Sequence, residues 1–277
     1  MKARTAAENG VVSPLAAALR QYSYAYTAVH DLAVCDDLMV EDYRLVMGPF
    51  VVQGRDGFYK PAAVKQFDQF PGLGFMVHDL VLGHDRAALH FTEHGRSMSH
   101  GRTAAWSGVS LYRWDGQRLL ECRVEQDYFA RRGQLRGETA AVLSSPAVDP
   151  WTQVPAGHDD AVAGTARRWL TGGGLVDLPQ GALDDERHRP MARVRLDDVT
   201  TDVLDLFAAG DRAAFHVALD GRYAGGLPGR DTYTGRSGRL YAAGVLTVAG
   251  DEVTSVSAVS DRLAFERRLS KYGCSDR

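Results

Sequence analysis

The chain has only three cysteines, Cys35, Cys122 and Cys274, odd in number and far apart. That excludes a disulfide framework and a clustered zinc site, and it fits a reducing, cytoplasmic setting. There is no basic excess: 32 Lys+Arg stand against 35 Asp+Glu, a net charge of −3. A protein that mainly grips nucleic-acid backbone is therefore not expected. No run approaches the ~18 apolar residues of a membrane-spanning helix. The opening MKARTAAENG has no apolar stretch, so no secretory signal is expected. No glycine-rich loop joins a strand to a helix at dinucleotide-binding spacing, and Gly172-Gly173-Gly174 reads as a helix stop. His78, His90, His94 and His100 show no metal-binding spacing on one helix. No cofactor and no metal are implied.

What remains is an ordinary globular composition, 45% apolar and 24% charged over 277 residues. At roughly 150 residues per domain, that length suggests two domains. An internal repeat supports the division. Asp85–Gly95 reads DRAALHFTEHG and Asp211–Gly221 reads DRAAFHVALDG. Downstream, the segment from Gly108 to Leu135 matches that from Gly244 to Leu269 in pattern, and Asp127 falls opposite Asp261. Between the copies lies a Pro-, Ser-, Ala- and Gly-rich stretch, residues 137–157. The expected domains are 1–145 and 146–277, a tandem duplication.

Each copy reads as helix first and meander after. In the first, Ser13-Pro14 opens a helix on which Leu15, Ala18, Leu19, Tyr22 and Tyr26 share a face. Short helical stretches are expected over 32–39 and 60–70, with strands over 43–47, 75–82, 87–94, 104–114 and 119–129. The second copy is expected to have a helix over 160–170 and strands over 193–196, 203–208, 213–220, 239–248 and 253–261. The class is α+β, with helices on one face of a curved antiparallel sheet.

Asp115-Gly116 is a two-residue hairpin signal. It would pair Glu121 with Ser110, Arg123 with Gly108, Glu125 with Trp106 and Asp127 with Ala104. With period-2 alternation, Glu121, Arg123, Glu125 and Asp127 then share a face with Trp106 and Ser110. Such a row is either a solvated outer face or a polar site. The second copy has Ser255, Ser257, Val259 and Asp261 at these positions. A face that is merely solvated has no reason to lose its charge in one copy, so the comparison favours a site in the first domain. His30-Asp31 is either a cap or a pocket-edge pair.

The first helix, the FPGLGFMVHDL segment, the DRAALHF strand and the YRWDGQRLLE…QDYFARRGQL ending together resemble the SnoaL-like polyketide cyclase group. That group lies in the nuclear-transport-factor-2-like superfamily, beside ketosteroid isomerases and limonene-epoxide hydrolases. The resemblance is clearest over residues 14–135 and weaker over 160–269. It implies cone-like domains, each a curved sheet wrapped on helices around an apolar pocket. It also implies dimer-like packing of outer sheet faces, here an intrachain pseudo-dimer with a further homodimer as an open option. By the resemblance, Asp127 is the acid/base residue and Glu93 its partner on a neighbouring strand. Phe91 stands where the hydrolases carry an arginine. For both acids a structural reading stays open: a strand-end carboxylate for Asp127, an edge residue for Glu93. Tyr22, Tyr26, Phe91, Trp106, Ser110, Glu121, Arg123 and Glu125 complete the candidate substrate-binding set. The implied partner is a hydrophobic, polyketide-like molecule that is cyclised, isomerised or opened at an epoxide by cofactor-free proton transfer. A non-catalytic binder or scaffold of the same fold is the competing reading.

Overall fold

A computed structural model describes residues 12–139, 144–178, 182–184 and 193–271. Cys274 and the start of the chain, on which the secretory-signal expectation rests, lie outside these residues.

Helix α1 (Pro14–Gln21) begins with Pro at its first position, where the missing N–H costs nothing, and buries Leu15, Ala16, Ala18 and Leu19. It continues through a π-helical stretch, Tyr22–Ala28. Next come α2 (Val34–Leu38), strands β1 (Met39–Met47) and β2 (Phe50–Gln53), and α3 (Lys60–Gln69), which is followed by Pro71-Gly72. Strands β3 (Gly74–Leu82), β4 (Arg86–Arg96), β5 (Thr103–Trp114) and β6 (Leu119–Gln126) form the meander. Its continuation is not strand but helix, α4 (Tyr128–Leu135). The sheet order is β2-β1-β6-β5-β4-β3. All its pairs are antiparallel except β1 with β6, which run parallel.

In the second half, α5 (Asp160–Thr171) is N-capped by Asp159, whose side chain accepts from the Ala161 and Val162 N–H groups. Strands β7 (Arg195–Ala209), β8 (Arg212–Gly225), β9 (Ser237–Ala249) and β10 (Glu252–Ser260) form an antiparallel sheet in the order β10-β9-β8-β7, followed by α6 (Arg262–Lys271). The two short strands expected over 193–196 and 203–208 are one long strand, β7, interrupted by shifts in register.

The β8-β9-β10-α6 run follows the order of β4-β5-β6-α4, and the likeness reaches single contacts. Phe91 lies opposite Gly108, and Phe215 opposite Gly244. A Cβ on either glycine would sit 2.3 or 2.4 Å from the facing ring, so each Phe needs a Gly across from it. The Asp127 N–H donates to the Ser107 carbonyl at 2.9 Å, and the Asp261 N–H to that of Tyr241 at 2.9 Å.

Two cores lie on the inner, helix-covered sides of the sheets. A third joins the outer faces: Val81, Ala88, Val109 and Leu111 of the first sheet pack with Phe207, Ala209, Ala214, Ala243, Val245 and Val259 of the second. A fully buried Val or Leu stabilises by ~1.5–3 kcal/mol, so this seam holds the halves together. Ion pairs Arg86–Asp205 (2.5 Å) and Arg132–Glu266 (2.6 Å) flank it.

Candidate functional site

The β5–β6 connection decides which side chains face the cone. Its turn is not the two-residue Asp-Gly type. Asp115 Oδ1 accepts from the N–H groups of Gln117 and Arg118, at 2.8 and 2.7 Å, and the loop spans four residues, with Trp114 opposite Leu119. A register shift beside Arg113 follows. Glu121 then pairs with Arg113, Arg123 with Leu111 and Glu125 with Val109. The offset from the expected register is odd, so every β6 side chain changes face. Cys122, Val124 and Gln126 join Trp106 and Ser110, while Glu121, Arg123 and Glu125 turn toward the second sheet.

Four expected site residues therefore lie elsewhere. Glu121 accepts from Arg44 and Arg123, each at 2.8 Å, and Arg123 reaches Asp205 of β7 at 3.7 Å. Glu125 Oε1 accepts from the Gly48 N–H at 2.7 Å and lies 2.8 Å from Nε2 of His216 on β8. Asp127 is fully buried and caps α4: its Oδ1 accepts from the Ala130 N–H at 3.0 Å and its Oδ2 from Arg262 of α6. Side chains of the Asp-Tyr-Phe segment diverge, Tyr128 packing in the first core and Phe129 in the second.

The other candidates meet inside the cone. Glu93 pairs with Phe75 on one side and Trp106 on the other. It is 7% exposed and accepts from Gln66 Nε2 of α3 at 2.9 Å. Burial pushes its carboxyl up to about 7, against smaller lowering contributions from Arg131, Gln66 and Trp106. Beneath it Trp106 is fully buried and donates from Nε1 to Gln126 at 2.8 Å. Phe91 stacks on Phe75 with ring centres 4.8 Å apart. Tyr22 and Tyr26 stack at 4.7 Å, the Tyr22 and Tyr59 hydroxyls hydrogen-bond, and Tyr26 packs edge-on to Phe67 at 5.1 Å. Burial raises the hydroxyls of Tyr22, Tyr26 and Tyr59, so these rings stay neutral. Ser110 is buried in the same layer.

Sequence reasoning missed Gln66, Tyr59, Tyr128 and Arg131. The last shares α4 with Tyr128, and its guanidinium lies over the rings of Tyr128, Trp106 and Phe70. A basic residue one turn after a strand-end acid was the available signal; it was masked by reading strand through 129. His30 adopts φ 61° and stacks on Phe67 at 4.0 Å, while Asp31 accepts from the Ala33 N–H in the turn before α2, whose N-cap Ala33 has no side-chain cap. Cys35 and Cys122 are buried thiols pushed up by that burial to about 11 and about 12. Among the described residues no three His, Cys, Asp or Glu side chains gather as metal ligands, and no helix is long and apolar enough to cross a membrane.

Solved structures with similar folds cover about half of the chain. One, named as a SnoaL-like polyketide cyclase from Jannaschia sp. CCS1, is 14% identical, with a TM-score of 0.41 over 50% of this chain and 100% of its own. TsrD from Streptomyces laurentii is 22% identical, with a TM-score of 0.40 over 44% and 94%. A protein with a ketosteroid isomerase-like fold from Catenulispora acidiphila is 12% identical, with a TM-score of 0.39 over 43% and 92%. No protein of curated function matches the chain. The segment from residue 19 to residue 122, which contains Glu93 and stops short of Asp127, matches the family of the SnoaL-like domain.

Proposed function

We propose that the first half, residues 1–145, is a cofactor-free small-molecule domain whose proton-handling group is Glu93, and that residues 146–277 are a reduced duplicate serving as its fixed partner. The observation that carries this is the placement of Glu93: a buried carboxylate on the inner face, held by Gln66 and raised to about 7. Near neutral pH such a group exists in both protonation states, as general acid/base work requires. The aromatic lining suits a flat, hydrophobic, polyketide-like substrate, in keeping with the cyclase names borne by relatives. Asp127 supports the site from outside by capping α4, which carries Tyr128 and Arg131 into the cone. The duplicate has Leu219 at the position of Glu93, and it keeps Asp261 in a structural place like that of Asp127.

The test is α-proton exchange of 2-tetralone, a flat aryl ketone, followed by NMR in D2O. Wild type is expected to accelerate exchange over buffer, and Glu93→Gln to abolish the acceleration. Equal rates in both would remove the catalytic reading. A second reading, a binding or scaffolding domain without turnover, has one specific observation behind it: Tyr22, Tyr26, Tyr59 and Phe67 occupy the interior in ring-to-ring contact. It is favoured if 2-tetralone or larger flat ketones bind but never exchange.

A further inference from the structure

Arg131 is a cation that the proton-transfer reading leaves without a task. Its guanidinium carbon lies 4.2 Å from the Tyr128 ring centre, 5.0 Å from that of Trp106 and 5.6 Å from that of Phe70. Three aromatic faces thus fix one half-buried charge. Among the described residues no hydrogen bond or ion pair engages it, and none of its nitrogens is both sealed from solvent and unpartnered. The donors therefore reach solvent. The other groups facing it are Glu93 on β4, beyond ion-pair distance, Tyr128 on its own helix and Arg267 on α6; burial lowers its affinity for a proton, yet an arginine stays charged. A guanidinium pre-positioned on aromatic rings with open donors is a planar fork without a carboxylate.

We infer that Arg131 anchors a carboxylate on a flat ligand whose ring system lies beside the partly exposed Tyr128 ring, toward Glu93. This rests on the reading of the cone as a small-molecule site and adds the ligand's charge to it. A carboxylate matches the fork with two parallel hydrogen bonds. A more highly charged phosphate ester fits less well, since the acid Glu93 stands beside the fork.

The experiment is isothermal titration calorimetry of the full chain at pH 6 with 2-naphthoate and its neutral isostere 2-naphthamide. Charge-assisted hydrogen bonds contribute ~1.5–3 kcal/mol, so wild type is expected to prefer 2-naphthoate by about tenfold or more. Arg131→Gln should reduce the preference to near unity. Arg131→Lys, which keeps the charge and most of the packing, should retain only part of it, and it carries the test if Arg131→Gln does not fold. Equal affinity of wild type for the two probes, or an undiminished preference in the folded variants, overturns the inference and leaves the Glu93 reading standing. If neither probe binds to wild type, the inference falls; a failure of 2-tetralone exchange alone strikes only the proton-transfer reading.

Discussion

Two carboxylates illustrate how similar residues acquire opposite roles from their surroundings. Asp127 is sealed at the helix start and matched by Arg262. Arg262 also reaches the buried Asp184 at 3.3 Å, so Asp127→Ala removes one partner and the α4 cap without stranding the charge; it is expected to cost ~1–3 kcal/mol, read as a lower denaturation midpoint. Glu93 is buried without an ion pair, and its folded-state pKa is raised from 4.5 to about 7. Stability is then fullest below the unfolded-state value and is lost as pH rises through 7. Glu93→Gln should therefore be more stable than wild type at pH 9, by at most ~3 kcal/mol, and nearly equal to it at pH 5. Thermal melts at both values check this. Loss of 2-tetralone exchange together with a gain in alkaline stability would mark a residue kept for chemistry rather than for folding.

Strands and helices were largely legible because their signals are local. Ser13-Pro14 starts α1, Pro71-Gly72 follows α3, and the DRAA repeat marks β4 and β8. The register of β6 was not legible. It depends on the Asp115 side chain taking two backbone N–H groups, which lengthens the turn and turns the charged row to the seam. Glu93, Trp106, Phe91, Tyr22 and Tyr26 fall inside the cone regardless of that turn, since α1, β4 and β5 are set by their own patterns. The parallel β1–β6 pair and the α4 helix arise from tertiary packing, which period-2 reading cannot foresee. At this scale the paired Phe-Gly contacts give an expectation. Gly108→Ala and Gly244→Ala each force a methyl into a ring and should cost ~1–3 kcal/mol, measurable by chemical denaturation. A neutral outcome at either position would show that the ring yields.

Across the whole molecule, the seam joins apolar packing to buried ionisable groups. Burial pushes Glu125 up to about 8 and Asp261 up to about 8, the latter also by the Glu125 charge, with Arg268 opposing both shifts. His216, in contact with Glu125, is pushed down by burial to about 4 and is a neutral ring. The raised carboxyls favour folding at low pH, and their contribution is lost as pH climbs toward 8. His216 works the other way, losing its contribution as pH falls from 6.5 toward 4. Stability should therefore peak at mildly acidic pH. Between pH 6 and pH 9 the melting temperature of wild type should fall by at least ~2 °C, and by less in Glu125→Gln. A parallel fall in both proteins would mean that Glu125 does not carry the pH dependence.

Most depends on the state of Glu93, and a 13C-carboxyl NMR titration of the full chain, assigned by the signal missing in Glu93→Gln, reads it directly. A midpoint near 7 is expected for a carboxylate desolvated on the inner face of the cone; a midpoint near 4.5 would mean that water reaches it freely and that no proton-handling site exists there.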